Sequence, residues 1–467
     1  MLYGWCRGKI SSRLNLAEVK VARLGIFGGN MKKQITVVCA LIATSALAMT
    51  ACSSSSNSGD SNAELAKDGS YSMALSSDPG TLSPLMTASS TARSVINYLY
   101  DRMVFIDPSS GEVKPWLAES WTESPSQVSY KLKTGITCSD GSALTPQTVA
   151  DNFNFVADKA NKSPLRGAFV PGDLVATADG STVLLKMSKP SPFLLANTAA
   201  LNIVCQSGIK NPDSLATASV GTGLFKLNQA VPNDHYSLDR RDGYSWGPDN
   251  QTTSDTLGVP KTVNFKIVSN SSTAANLVLS GELNAANVTG ADEDRLGSLQ
   301  SISTNRPVGE MFFNQAEGKP TADAAVREAL TSSIDLNSLA KIITAEKGGI
   351  SKQLSGIAPL GCQMETTSAL PSFDADGAAK KLTAAGWALG SDGKLTKNGQ
   401  PLTLNFIYEN SQDTSNAAAE YAQQQWAKVG VTVTLKGGDE NFMVDQLLSG
   451  KKRWLGHLLG DHQRQCA

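Results

Sequence analysis

The period of the hydrophobic pattern changes along the chain. From Gly69, "GSYSMALSSDPGTLSPL" reads as a strand that runs into a Pro-Gly turn. "TARSVINYLYDRMVFID" (91–107) places Val95, Leu99 and Met103 at helical spacing and then turns extended. "QVSYKLKTG" sets Val128, Tyr130 and Leu132 on one face, the alternation of a half-buried strand. Past the Asp140-Gly141 turn, Thr145 suits an N-cap with Pro146 at the first helical position, and Ser181–Ser188 reads as another strand. Further on the pattern is α/β. A helix closes at Gly281 before a short strand at Ala285–Val288, and helices follow in "DAAVREALTSSI" and "DLNSLAKIIT", the second capped by Asp335. "DADGAAKKLTAAGW" forms a helix that Gly386 closes in the left-handed conformation. Then come a strand over Leu402–Glu409, a helix closed by Gly430 and the strand "VTVTL". That succession predicts a parallel pair with a right-handed crossover.

The N-terminal stretch has no such pattern. A basic pair, Lys32-Lys33, precedes the apolar run Ile35–Met49, which is shorter than the ~20 residues of a spanning helix. Basic start, apolar middle and small residues before a cut make a secretory signal over 31–51. "LAMTAC" resembles the bacterial lipobox, with Met49 in place of the usual Leu, Val or Ile. The resemblance implies that Cys52 is lipidated and becomes the new N-terminus. The serine-rich 52–68 stretch is too polar to pack and reads as a flexible tether. Residues 1–30 precede the signal and are set aside as a mis-assigned start.

Composition then narrows the classes. The chain has 41 Lys and Arg against 42 Asp and Glu; seven of the basic residues and one acidic residue precede Cys52, so the remainder stands at −7. A nucleic-acid partner would call for a basic footprint, so none is expected. Of the three histidines, only His235 lies in the body of the chain. No phosphate-cradling Gly-rich loop and no Gly-x-Ser-x-Gly elbow occurs, so no enzyme activity and no cofactor is expected. His457, His462 and Cys466 offer soft-metal ligands near the end, but their spacing fits no standard site, and no metal is expected. In an exported chain, a pair among Cys138, Cys205 and Cys362 can form a disulfide. Cys138–Cys205 is favoured because both lie near predicted strand ends; two isolated buried thiols are the alternative.

Several stretches resemble one family, the bacterial extracellular solute-binding proteins, family 5, of peptide and nickel ABC importers. "LYDRMVFIDPSSGEVKPWLAESWTES" is similar to its Pro-x-Leu-Ala-x-Ser-Trp signature. "YKLKTGITCSDGSALTPQTVADNFNF" follows its Asp-Gly-x-x-Leu-Thr pattern, with Gln147-Thr148 where an acid is frequent. "SVGTGLFKLNQAVPNDHYSLDRRDGYSWG" is similar to its Val-Gly-Thr-Gly-Pro-Tyr segment and Tyr-Trp-Gly ending, with Leu224-Phe225 replacing Pro-Tyr and Ser245 inserted. "LVLSGELNAANV", "MFFNQ", "AAVREALTSSIDLNSL" and "DADGAAKKLTAAGW" follow in family order, so the likeness runs from about Gly69 to Gly450.

The resemblance implies an α/β fold of two lobes, periplasmic-binding-protein-like of the class II type, with a hinge between them and the extra domain of peptide-binding members. Lobe I would take 69–98 and 188–262, the extra domain 99–187 and lobe II 263–450. Cleft residues by the same resemblance are Thr81, Leu82, Gly221, Thr222, Gly223, Phe225, Phe313 and Asn314. Gly221 and Gly223 serve equally as tight-turn glycines, and Trp116 and Trp121 are read as core. The implied function is capture of short peptides by a monomeric lipoprotein, held by its lipid on the outer face of the cytoplasmic membrane, which delivers them to an ABC permease and its ATPase subunits. Nickel or another small solute is the alternative ligand. Residues 451–467 depart from the family pattern and carry two of the three histidines. They are read as an aberrant tail on a C-terminally truncated chain, which leaves a non-functional product as a further alternative.

Overall fold

A computed structural model describes residues 68–107, 110–191, 193–301, 309–350, 370–448 and 457–458. The signal, Cys52, the tether and Cys362 lie outside the described residues. β1 (Ser70–Leu75) leads through the Pro-Gly turn to α1 (Ser90–Leu99), and the short antiparallel pair β2 (Val104–Ile106) and β3 (Val113–Pro115) follows. β4 (Ala118–Ser124) and β5 (Gln127–Leu132) begin the extra domain, then α2 (Pro146–Ala157), β6 (Val175–Asp179) and β7 (Thr182–Lys186) complete an antiparallel sheet of order β4-β5-β7-β6. β5 alternates as its sequence demands, with Val128, Tyr130 and Leu132 buried. Thr145 caps α2, its side chain accepting from the Thr148 amide, and Pro146 occupies the first turn where its missing N–H costs nothing.

The chain returns through α3 (Leu194–Thr198) and α4 (Gln206–Lys210) to β8 (Phe225–Val231), β9 (His235–Arg240) and β10 (Thr262–Ile267). These join β1 in the sheet of lobe I, order β1-β10-β9-β8, with β1 and β10 parallel and the others antiparallel. This hairpin-plus-strand goes beyond the elements predicted from pattern. α5 (Ser271–Leu279) and α6 (Ala291–Arg295) follow. The strand expected at Ala285–Val288 is reduced to one parallel bridge, Ala285 to Met73, on the edge of β1 opposite β10.

Lobe II comprises α7 (Ala324–Ser332), α8 (Leu336–Ile343), α9 (Ala375–Ala384), the small strands β11 (Ala388–Leu389), β12 (Leu395–Lys397) and β13 (Gln400–Pro401), then β14 (Thr403–Glu409), α10 (Asp413–Lys428), β15 (Thr432–Gly438), α11 (Glu440–Leu448) and β16 (His457–Leu458). β14 and β15 pair in parallel across α10, the predicted crossover unit. β16 pairs in parallel on the other side of β14, so the stretch set apart as a tail contributes a short strand to this sheet.

Two main apolar cores result. One runs without interruption from lobe I into the extra domain, from Leu75 and Leu82 through Phe153 and Leu185 to Phe265. The other fills lobe II around Trp426, Phe406 and Leu330. The extra domain is thus welded to lobe I, while lobe II packs around its own centre.

Candidate functional site at the lobe junction

The weld between lobe I and the extra domain is built on one charge. Asp101, just past the end of α1, is 2% exposed. Its carboxylate accepts from Trp246 Nε1 at 3.0 Å and Tyr244 OH at 3.3 Å, and its backbone carbonyl accepts from the Ile203 amide. Burial pushes the Asp101 carboxyl up to about 6, while these hydrogen bonds and the Arg241 charge pull the other way. Arg241 in turn donates to the carbonyls of Gly223, Thr137 and Cys138. Beside them Cys138 and Cys205 are joined in a disulfide, their Cα atoms 6.2 Å apart. The Tyr-Trp of the "GYSWG" stretch therefore serves structure, clamping the end of α1.

Several of the residues expected to line the cleft lie in the same seam. A Cβ on Gly221 would stand 2.2 Å from the Leu99 carbonyl oxygen, and one on Gly223 would stand 2.4 Å from the Leu99 carbonyl carbon. Both glycines exist for close approach of two backbones, and Gly223 donates to the Leu99 carbonyl. Thr222 is fully buried in the same seam. Phe225 is buried edge-on against Tyr98, and Leu82 lies in the core. Thr81, Phe313 and Asn314 remain half-exposed. Phe313 leans on the core of lobe II, and the Asn314 carbonyl accepts from Thr321 Oγ1. The structure buries five of these eight residues and leaves three partly exposed.

What it does gather at the junction of the lobes is a group that sequence reasoning passed over. α11 follows β15 in lobe II, yet its first turn sits on lobe I. Glu440, 7% exposed, accepts from Ser89 Oγ at 2.7 Å, the Ser90 amide at 2.5 Å and the Thr91 amide at 3.0 Å. Ser89 Oγ meanwhile accepts from the Ala92 amide, so every free donor in the first turn of α1 is satisfied. Asn441 Nδ2 donates to the Asp78 carbonyl, and Val444 packs against the lobe I core. Gly80, at φ +71°, lets the Asp78–Thr81 turn pass beneath Asn441, whose amide nitrogen would be 2.8 Å from a Cβ there. Thr81 thereby stands beside the junction.

Glu409, at the end of β14, completes this face. Burial first, then the neighbouring Glu440 and Asp439 charges, push its carboxyl up to about 7. One turn into α1, Arg93 lies over the Phe169 ring and donates to the Ala200 carbonyl. Arg102, pulled down to about 9 by burial and by the Arg93 charge, donates to Asn97 Oδ1. Both guanidiniums lean on neutral oxygens. The missed residues had a faint signal: a charged residue inside an apolar run for Asp101, and "GGDEN" before an amphipathic stretch for Glu440.

Two lobes, each with its own core, thus meet at a polar junction. A model of the bacterial extracellular solute-binding proteins, family 5, matches residues 112–456. The chain belongs to this family. It is 24% identical over 367 residues to the nickel-binding periplasmic protein of Escherichia coli, which covers 74% of this chain and 67% of that one. It is 22% identical over 438 residues to the oligopeptide-binding protein AppA of Bacillus subtilis, covering 89% of this chain and 78% of the relative. Among solved structures, a substrate-binding protein from Microbacterium hydrocarbonoxydans complexed with 4-hydroxybenzoate hydrazide superposes with a TM-score of 0.71 at 26% identity, over 84% of this chain and 79% of that one. AppA in complex with a nonapeptide superposes at 0.72 and 20% identity, over 85% and 80%, a likeness of fold. The two-lobe α/β fold read from the motifs is the fold of this family.

Proposed function

We propose that this family 5 protein is the substrate-binding lipoprotein of an ABC importer, that it captures short peptides between its lobes, and that it hands them to the permease and its ATPase subunits. The observation that carries the peptide reading is the likeness to peptide-binding relatives, several of which match 72% or more of this chain. AppA, the relative matched over the greatest share of this chain among those named, supports the same choice. Closure follows hinge logic: a ligand that touches both lobes stabilises the state in which they meet. Waters bridging ligand and protein cost little, so tolerance of varied side chains is compatible with tight binding. Lipidation of Cys52 would hold the protein at the outer face of the cytoplasmic membrane, since two acyl chains suffice where one does not.

Nickel is the second reading, favoured by the Escherichia coli relative. Calorimetric titration with a pool of di- to pentapeptides and with nickel salts decides between them. Saturable heat with the peptides and none with nickel is expected; the reverse sinks the peptide reading. For the anchor, membrane fractionation of Cys52→Ala should release the protein, and unchanged membrane association would refute lipidation.

A further inference from the structure

α11 belongs to lobe II by chain connection, because it follows β15 after only Asp439, whose side chain accepts from the Phe442 amide at the helix start. Its first residue nevertheless acts on lobe I. The N-terminus of α1 presents donors that its own helix cannot satisfy, and among the described residues the Ser90 and Thr91 amides find their acceptor in Glu440. Ser89, the side-chain cap of α1, satisfies the Ala92 amide and spends its hydroxyl proton on the same carboxylate. The positive end of the helix dipole adds to the attraction. Asn441 and Val444 extend the contact along the next turn of α11, onto the Asp78 carbonyl and the lobe I core.

We infer that Glu440 is the latch between the lobes: its carboxylate completes the N-terminus of α1 when the lobes are together and leaves those donors to water when they part. It acts as a positioning residue, setting how much of the ligand-free protein is closed before any solute arrives. A ligand then binds a fraction of molecules already in the competent state, and lowering that fraction weakens apparent affinity in proportion. The inference rests on the two-lobe fold and not on the identity of the ligand, so it survives a failure of the peptide reading.

The test uses the ligand-free protein, with hydrogen exchange at the Ser90 and Thr91 amides and small-angle scattering measured on the same samples. Glu440→Gln removes the charge at nearly constant shape, and Ser89→Ala removes one donor from the other side. Both variants are expected to exchange these amides faster, by roughly ten-fold for Glu440→Gln, the ratio that about 1.4 kcal/mol of lost charge-assisted bonding gives. Both are expected to scatter as a more open particle, with the thermal transitions of the two cores kept. Faster exchange with an unchanged scattering profile would make Glu440 a local cap and overturn the latch, and so would no change in either. Should Glu440→Gln fail to fold, Ser89→Ala alone carries the same two readouts.

Discussion

The two lobes are stabilised by different means. Lobe I and the extra domain share one core, and their seam is closed by polar and covalent devices: buried Asp101 under Tyr244 and Trp246, Arg241 on three carbonyls, and the Cys138–Cys205 disulfide. Lobe II is organised around packed apolar side chains, with Trp426 meeting Phe406 edge-on at 5.5 Å and donating its indole N–H to the Leu330 carbonyl. A chain that crosses between domains several times must fix their relative position, and directional bonds do that better than apolar contact. A lobe formed from one later stretch of chain is held by a dense centre.

That contrast can be broken from either side. Trp426→Ala should have the largest effect, removing a side chain that is 1% exposed together with its hydrogen bond, at roughly 3–5 kcal/mol. Calorimetric melting should show the loss in the transition of lobe II, leaving the other transition in place. Replacing Cys138 and Cys205 with Ser should do the opposite, destabilising lobe I and the extra domain by about 2–4 kcal/mol for a loop of 67 residues. Reductant should reproduce that shift in the wild-type protein and none in the variant.

Asp101→Ala should cost less, about 1–3 kcal/mol, because Trp246 Nε1 keeps the Thr222 carbonyl as a partner. Its pH dependence carries a definite sign. The Asp101 carboxyl rises from 3.8 to about 6 on folding, so the folded state holds its proton more tightly than the unfolded chain. Stability from this group is lost as pH climbs from about 4 to about 6, and Asp101→Asn should flatten denaturant midpoints across that window. Glu409 gives a slope of the same sign between its ordinary 4.5 and about 7. Glu409→Gln should remove that slope, and its retention would assign the slope to another group.

Much of the fold was legible. Alternation over Val128, Tyr130 and Leu132 marked β5, and Thr145-Pro146 marked the start of α2, because local pattern and capping chemistry act over a few residues. The parallel β14–α10–β15 unit followed from strand, helix and strand at close spacing. Gly281, Gly386 and Gly430, expected at helix ends, all have positive φ. The hairpin of β8 and β9 and its continuation in β10 was not predicted from pattern, although Val263 and Phe265 alternate inward.

The site was far less legible. A conformationally permissive glycine looks the same in sequence whether it faces a solute or, like Gly221, a neighbouring backbone. Glu440 and Ser89 stand 351 positions apart, and nothing local in either stretch announces the other. Contacts between lobes are set by how two finished bodies meet, which no periodicity encodes.

On the proposed function, the lobes close on short peptides. Small-angle scattering of the protein before and after saturation with the di- to pentapeptide pool, with nickel salts as the parallel arm, tests it directly. A more compact particle with peptides and an unchanged one with nickel are expected. An unchanged profile with peptides, alongside compaction by nickel, would contradict it.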